Sequence, residues 1–383
     1  MYNYIPLEQA ADILDSYRKP VNSKERLNLI KGKPLDELFP YYGATGQVGW
    51  IDSFLTDGEY ILLGEDGAPF LNPYAEKAYI IYGKTWVNNH AHILRSKTNN
   101  EFLCYYLNYF NYKNYVSGTT RLKLTQAQMR KIPIPNIPSD EQSRIVASIE
   151  ELFSELDKAV DTLKTTKEQL EVYRQTILVD AFRAATNSTY LKVGCVCAKI
   201  VDCPHSTPKW EKSGKLCLRT TNFKRGYLDL QSPNYVSEET FHDRNRRIIP
   251  QPGDVLYSRE GSVLGIACTI PSNVYPCLGQ RMMLLRSGEK LNNRYLMHYL
   301  NSPMVTNHVI ATKGGTGSPH INVGDIKEFQ IPIPSLEEQS NIVCQIEEQL
   351  SSCDNVEKTV DAILTQADAM RQSILKQAFE GTL

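Results

Sequence analysis

Basic side chains crowd one stretch of this 383-residue chain: Lys209, Lys212, Lys215, Arg219, Lys224 and Arg225, then Arg244, Arg246 and Arg247, then Arg259 and Arg281. Lysine and arginine neutralise phosphate. The arginine fork can also present two parallel donors to guanine O6 and N7, and Asn or Gln matches the N6/N7 edge of adenine. Two glycine-rich stretches, YVSGTTRLKLT at 115–125 and TKGGTGSPHIN at 312–322, lack the bulk that would hold a backbone away from a polyanion. The first is attended by Lys113, Thr119, Thr120, Arg121 and Lys123, the second by Lys313, Thr316, Ser318 and His320. A third stretch, GATGQVG at 43–49, offers Thr45 and Gln47, and Asn89 with His90 completes the candidate contact set. The chemistry open to these residues is recognition of phosphates and base edges. The plain alternative for each stretch is a tight turn or a solvated surface.

Bond-making chemistry has little support. The Walker A spacing is absent, and GATGQVG lacks the strand-to-helix setting of a dinucleotide fingerprint. Asn72-Pro73-Tyr74 falls one proline short of an adenine-methylase motif, and no glycine-rich methyl-donor loop, helicase motif or nuclease motif stands out. Cys195, Cys197, Cys203 and His205 have spacings that a structural zinc site disfavours, so no metal site is expected. Nine cysteines, an odd number, fit reduced thiols. The N-terminal MYNYIPLEQAADILD lacks the basic and apolar regions of a signal peptide, and no apolar run reaches the roughly 18 residues of a membrane span, so a cytoplasmic location is expected.

The elements that must position these residues are duplicated. A shift of 197 positions lays 141–183 on 338–380 without a gap, with 18 identities in 43 positions. Unrelated sequences of this composition would share about two or three. The same offset pairs Gly118-Thr119 with Gly315-Thr316 and Ile134-Pro135 with Ile331-Pro332, and LRS recurs at 94–96 and 285–287. Further upstream DGEYILLGEDG resembles PGDVLYSREG, and LNY at 107–109 lies near YLNS at 299–302.

The shared segments read as long helices. Apolar residues recur at 3,4 spacing through Ile145, Ile149, Leu152, Leu156, Ala159, Leu163, Leu170, Tyr173 and Ile177, with Thr166 as the break. The second copy gives Ile342, Ile346, Cys353, Val356, Val360, Ile363, Ala367, Met370 and Ile374, with Gln349 as the break. Such seams are a coiled-coil signature. Proline-rich entries exclude helix before about 139 and 336, with Ser139 and Ser335 as expected N-caps. A compact domain between the helices would return the second helix near the end of the first, which predicts an antiparallel pair and a pseudo-twofold relation between the flanking domains. Short apolar runs separated by Gly, Pro and Asn, plus one helical stretch each (NNEFLCYYLNYF and NNRYLMHYLNS), make those domains mixed α+β. The aromatic residues of these stretches read as core.

The formal charge of -1 would ordinarily argue against a polyanionic partner. It conceals a segregation: residues 1–131 carry +2, 132–186 carry -4, 187–330 carry +7 and 331–383 carry -6. Basic domains held by acidic helices suit a DNA reader, because phosphate neutralisation supplies affinity while the helices stay off the duplex.

These features carry a resemblance. IPNIPSDEQSRIV and IPIPSLEEQSNIV, the helix ends YRQTILVDAF and MRQSILKQAF, and YYGATGQVGW, LRTTNFKRGYLD and GDVLYSREGSVLG are similar to the specificity (S) subunits of type I restriction-modification systems. The resemblance implies an α+β architecture of two pseudo-twofold-related mixed α/β target-recognition domains separated by two long antiparallel coiled-coil helices. Its expected boundaries are 1–131 for target-recognition domain 1, 132–186 for spacer helix 1, 187–330 for target-recognition domain 2 and 331–383 for spacer helix 2. It further implies a non-catalytic, sequence-specific reader of a bipartite asymmetric double-stranded DNA target. Two methyltransferase (M) subunits that methylate adenine N6, and restriction/translocase (R) subunits, would be its partners. S-adenosylmethionine, ATP and Mg2+ would reside in those partners, leaving this chain with no cofactor. One departure is that Arg259 has no basic counterpart in GEYILLGEDGA. Two other readings remain open: the specificity subunit of a stand-alone or type IIB-like methyltransferase system, and a non-DNA two-domain coiled-coil scaffold, against which the charge segregation speaks.

Overall fold

The computed structural model describes residues 3–185, 188–261, 263–312 and 319–383. It resolves into two compact units. The first comprises residues up to Lys164 together with Val360–Leu383, and the second is Thr165–Thr359.

The first unit opens with β1 (Tyr4–Pro6), α1 (Leu7–Ala10), β2 (Ala11–Ile13) and α2 (Ser23–Ile30). Strands follow: β3 (Phe39–Gly43), β4 (Gly46–Ile51), β5 (Thr56–Gly64), β6 (Ala78–Val87) and β7 (Ala91–Ser96). Then α3 (Asn100–Tyr109), α4 (Gln126–Met129) and β8 (Pro133–Pro135) lead into the long α5 (Ser139–Ala184). The sheet order is β2-β7-β5-β6-β3-β4, antiparallel except for the β3–β6 pair. The apolar run Tyr60–Leu63 shows no alternation because both faces of β5 are covered. Ile61 and Leu63 pack with Phe102, Leu103 and Tyr106 of α3, while Tyr60 and Leu62 join Ile81, Val87 and Ile93.

The second unit repeats this order with more interruptions. It contains β9 (Thr189–Lys192), α6 (Val193–Val196), β10 (Cys197–Asp202), β11 (Lys215–Leu218), β12 (Phe223–Lys224), β13 (Tyr227–Leu228) and β14 (Tyr235–Val236). Next come α7 (Glu238–Arg244), β15 (Val255–Ser258), β16 (Ala267–Thr269), β17 (Cys277–Leu278) and β18 (Met282–Ser287). After α8 (Asn293–Asn301), α9 (Pro303–Thr312), α10 (Val323–Lys327) and β19 (Gln330–Ile333), the chain enters α11 (Leu336–Glu380). The order β10-β18-β15-β16 matches β2-β7-β5-β6, and the parallel β11–β17 pair matches β3–β6. Where β6 is one continuous strand, Pro271, Asn273 and Pro276 split its counterpart into β16 and β17; proline lacks the ladder donor and Asn273 stands at φ 65°.

The weak LNY/YLNS likeness acquires a physical reason here. Asn108 exchanges two hydrogen bonds with the backbone of Ala78, and Asn301 does the same with Ala267. Each clamps a helix end to the first residue of the matching strand, β6 or β16. The Gln of the DEQ and EEQ motifs is a second repeated clamp. Gln142 accepts from Thr98 Oγ1 at 2.9 Å and donates to the Ile137 carbonyl at 3.0 Å. Gln339 accepts from Asn292 N at 2.8 Å and donates to the carbonyls of Lys290 and Pro334, both at 2.9 Å. Ser335 caps α11 as expected, exchanging bonds with Glu338. Ser139 does not cap α5: it is the first helical residue, and the Pro138 carbonyl takes the Gln142 N–H.

Within each unit the two long helices run antiparallel. In the second unit Lys167 meets Glu357 and Arg174 meets Asp354 and Glu357. In the first, Asp157 meets Arg371, while Ile145 and Ser148 share a cleft with Ala378. One column of each expected seam is inside: Ile149, Leu156 and Ile177 are buried and Leu163 and Leu170 half-buried, as Ile346, Cys353 and Val360 are buried and Ile374 half-buried on α11. Ile145, Leu152 and Ile342 are half-buried beside it. The other column is displaced by one residue. Tyr173, Val356, Ile363 and Met370 are exposed, and Arg174, Glu357, Leu364 and Arg371 take the inward positions. A residue three along and one four along flank the same stripe, and the polar character of Arg174, Glu357 and Arg371 hides the true column from an apolar count. Arg174 and Arg371 are 197 positions apart, as are Asp157 and Asp354, so the ion pair is itself duplicated.

Candidate nucleic-acid interface

In the first unit four connections are stitched together by backbone bonds. Asn88 N donates to Tyr42 O, Glu65 and Asp66 N to His90 O, Gly67 N to Leu122 O and Leu124 N to Glu65 O. Ser117 and Lys123 bridge the glycine-rich stretch into a tight loop. Its Gly118 stands at φ 102°, where an added Cβ would lie 2.3 Å from the Arg121 carbonyl oxygen, so only glycine fits. The resulting rim exposes Thr45, Gln47, Asn89, Thr119, Thr120 and Arg121, with Lys113 and Lys123 also exposed and His90 half-buried. Arg121 rests on Asp66 at 2.7 Å, Lys123 on Glu65 at 3.4 Å, and the His90 ring lies 3.6 Å from Asp66. The Gln47 side chain donates to Gly49 O.

Behind the rim lies a network that sequence reasoning missed. His92, fully buried, bonds Asp15 at 2.7 Å and the Leu124 carbonyl at 3.0 Å, and Arg18 pairs with both Asp15 and Glu65. Burial alone would raise the Asp15 carboxyl, but the His92 bond, the His92 and Arg18 charges and the Gln126 amide hold it below its ordinary value. Glu65 is likewise opposed by burial and lowered mainly through Arg18. The only sequence signal was the likeness of GEDG to SREG.

The second unit builds the matching rim from the equivalent connections. Arg259 N donates to Arg281 O, Ile321 N to Arg259 O, Gly261 N to Pro319 O and Gly279 N to Leu218 O. Glu260 bridges His320 as Asp66 bridges Lys123. The expected contact residues divide sharply. Arg244 is buried, its guanidinium donating to the carbonyls of Ser206, Leu278 and Gly279. Arg259 is also buried, in a two-pronged pair with Asp202 at 2.8 and 3.0 Å. Both therefore leave the contact set: each braces a loop from within. The apparent lack of a counterpart for Arg259 resolves as well, since Glu65 stands in its place and pairs with Arg18, an ion pair of reversed polarity.

Arg247, Arg281 and His320 are exposed. Arg219 is exposed and stacks over Trp210 at 5.4 Å. Arg246 pairs with Asp243, and with Lys209 it borders an open groove of 670 Å³. Lys224 and Arg225 instead line a 340 Å³ cleft against Glu171, Asp354 and Glu357, where Arg225 donates to Asn301 O. Lys313, Thr316 and Ser318 lie outside the described residues. Among the described residues no cluster of three His, Cys, Asp or Glu side chains could hold a metal ion.

A family model described as type I restriction modification DNA specificity domain matches residues 9–172 and 205–365. The chain belongs to this family. It is a specificity subunit, a DNA-recognition protein that is not itself catalytic. S.HindORF215P of Haemophilus influenzae is 29% identical over 350 residues, covering 88% of this chain and 85% of that one. The type I restriction enzyme EcoKI specificity subunit of Escherichia coli is 23% identical over 74% of this chain and 65% of its own length. A chain from a solved structure of a type I R-M system superposes with a TM-score of 0.69 at 18% identity, covering 100% of this chain and 98% of that one. The HsdS subunit from Thermoanaerobacter tengcongensis gives 0.57 at 19%, covering 100% and 97%. Both share the fold of this specificity subunit. Membership of the family implies DNA and the other subunits of a type I complex as partners. No helix among the described residues is long and apolar enough to cross a membrane.

Proposed function

We propose that this specificity subunit reads a bipartite, asymmetric DNA target, one half-site per globular domain. Residues 1–131 and 187–330 serve as the two target-recognition domains, and 132–186 and 331–383 as spacer helices that set the gap. One observation carries this reading: the rims of the two units share a backbone bonding pattern but present different side chains, a common frame holding two different readers. The exposed residues Thr45, Asn89, Thr119, Thr120, Arg121 and Lys123, together with the half-buried His90, face the first half-site, with Arg219, Arg246, Arg247, Arg281 and His320 at the second. The duplicated helices dock two copies of one methyltransferase partner, and restriction subunits join for cleavage. S-adenosylmethionine, ATP and Mg2+ act in those partners, in the cytoplasm.

The test is binding of the chain, purified with its methyltransferase partner, to a bipartite duplex at increasing salt. A steep fall in affinity is expected, with the +7 domain contributing the larger share of the slope. Salt-insensitive binding, or none to any duplex, refutes the reading. Inserting a heptad into 145–177 alone should alter the gap read; an unchanged gap with intact assembly refutes the spacer role.

A further inference from the structure

Two non-glycine residues among those described adopt positive φ, Asn273 and Arg281, both at 65°. Glycine takes this conformation freely, whereas a long side chain is strained in it, so an arginine here calls for a reason outside backbone geometry. The other internally placed arginines of the second unit show what a structural role looks like. Arg244 is anchored on three carbonyls, Arg259 on Asp202, and Arg286 on Asp254. Arg281 differs: its side chain is 53% exposed and its nearest acid, Glu260, lies 3.6 Å away. That is too far to occupy its donors, yet close enough to orient the fork.

The turn itself is duplicated. Gly279–Arg281 joins β17 to β18 as Asn88–His90 joins β6 to β7. Gly279 N donates to Leu218 O at 2.9 Å, and Asn88 N to Tyr42 O at 3.0 Å. Arg259 N donates to Arg281 O at 3.0 Å, and Glu65 N to His90 O at 2.7 Å. The acid following each of those donors, Glu260 or Asp66, stands 3.6 Å from the turn side chain in both. The backbone bonds, the acid and its spacing are constant, while the head group changes from imidazole to guanidinium and Arg281 alone of the two stands at positive φ.

We infer that this turn residue is the base-discriminating position of each domain, with Arg281 taking a guanine in the second half-site and His90 standing at the corresponding place in the first. The inference deepens the proposed DNA reading and rests on it. The arginine fork fits guanine O6 and N7, and a carboxylate at its flank fixes the plane of the fork without closing it off.

The test uses the chain assembled with its methyltransferase partner and a target defined by mapping methylated adenines. Duplexes altered one base pair at a time are bound by the wild type and by Arg281→Gly, His90→Ala and Arg281→Lys. Wild type should prefer G·C at one pair of the second half-site by roughly 10- to 100-fold. Arg281→Gly should lose that preference alone, keep discrimination in the first half-site, and unfold at the same or a higher temperature because glycine relieves the φ strain. Arg281→Lys should restore affinity without full selectivity, and His90→Ala should change preference in the first half-site only. Equal weakening on all duplexes, undiminished selectivity, or a lowered unfolding temperature for Arg281→Gly each overturns the assignment while leaving DNA binding intact. Failure of the wild type to bind any bipartite duplex overturns the underlying reading instead.

Discussion

Replacing Gln339 with alanine isolates the clamp at the start of α11. The side chain is fully buried, and its loss leaves the Asn292 amide and the carbonyls of Lys290 and Pro334 without partners. Asn292 is also the cap of α8, so the damage falls on the junction of both helices. A net contribution of about 1 kcal/mol per bond, and about 1–3 kcal/mol for an orphaned buried group, gives an expected loss of about 2–4 kcal/mol, because the three sites share one cavity and do not add fully. With a urea slope of about 3 kcal/mol per molar, the midpoint should fall by about 1 M at unchanged slope. Amide exchange in α8 should accelerate in parallel. Gln142→Ala removes two bonds and should cost less, about 1–2 kcal/mol. A midpoint shift for Gln339→Ala under about 0.2 M, or a larger effect at Gln142, refutes the clamp reasoning.

Lys77 is buried with the Pro73 carbonyl as its acceptor, and burial pushes its ammonium down to about 8 from 10.5. The unfolded chain therefore holds more protons between those values, and stability should rise with pH across that window; Lys77→Met should flatten the rise and raise stability at pH 7, read by urea unfolding. Arg259→Ala leaves the half-buried Asp202 carboxylate with only the exposed His205 beside it and should cost about 1–3 kcal/mol in the same assay, whereas removing both partners should cost less. Asp15, held below its ordinary 3.8, stabilises the fold above that value, and this is lost as pH falls through the lowered one; Asp15→Asn should abolish that part of acid unfolding. Arg174→Ala should destabilise its unit more than Arg371→Ala does its own, since Arg174 has two acidic partners on the facing helix and is only 16% exposed, against one such partner and 35% for Arg371.

Much of the frame was legible in the residues. The gapless 197-residue duplication, the proline-to-EQ entries and the 3,4 periodicity announce two equivalent long helices, because such signals are local and survive without knowledge of partners. The helical stretches with buried Phe102, Tyr106, Tyr295 and Tyr299 are core for the same reason. The inward column of the seam was not legible. Apolar counting selects Val356, Ile363 and Met370, and only the opposing helix decides that Glu357 and Arg371 turn inward to meet its charges.

The same division holds at the rims. Sequence alone located the basic cluster and the glycine-rich loop at 115–125, and segmental charge separated a +7 domain from its acidic helix. It could not distinguish Arg244 and Arg259 from Arg281, because a guanidinium is sequestered or displayed according to acceptors from other parts of the chain. Asp202 reaches Arg259 across 57 positions and Leu278 reaches Arg244 across 34. Residue type and spacing determined that this chain is built twice from one plan and carries donors of the kind that suit DNA. Tertiary packing decided which of those donors brace the loops and which remain outside, since only folding brings a buried charge to the partner that offsets its desolvation.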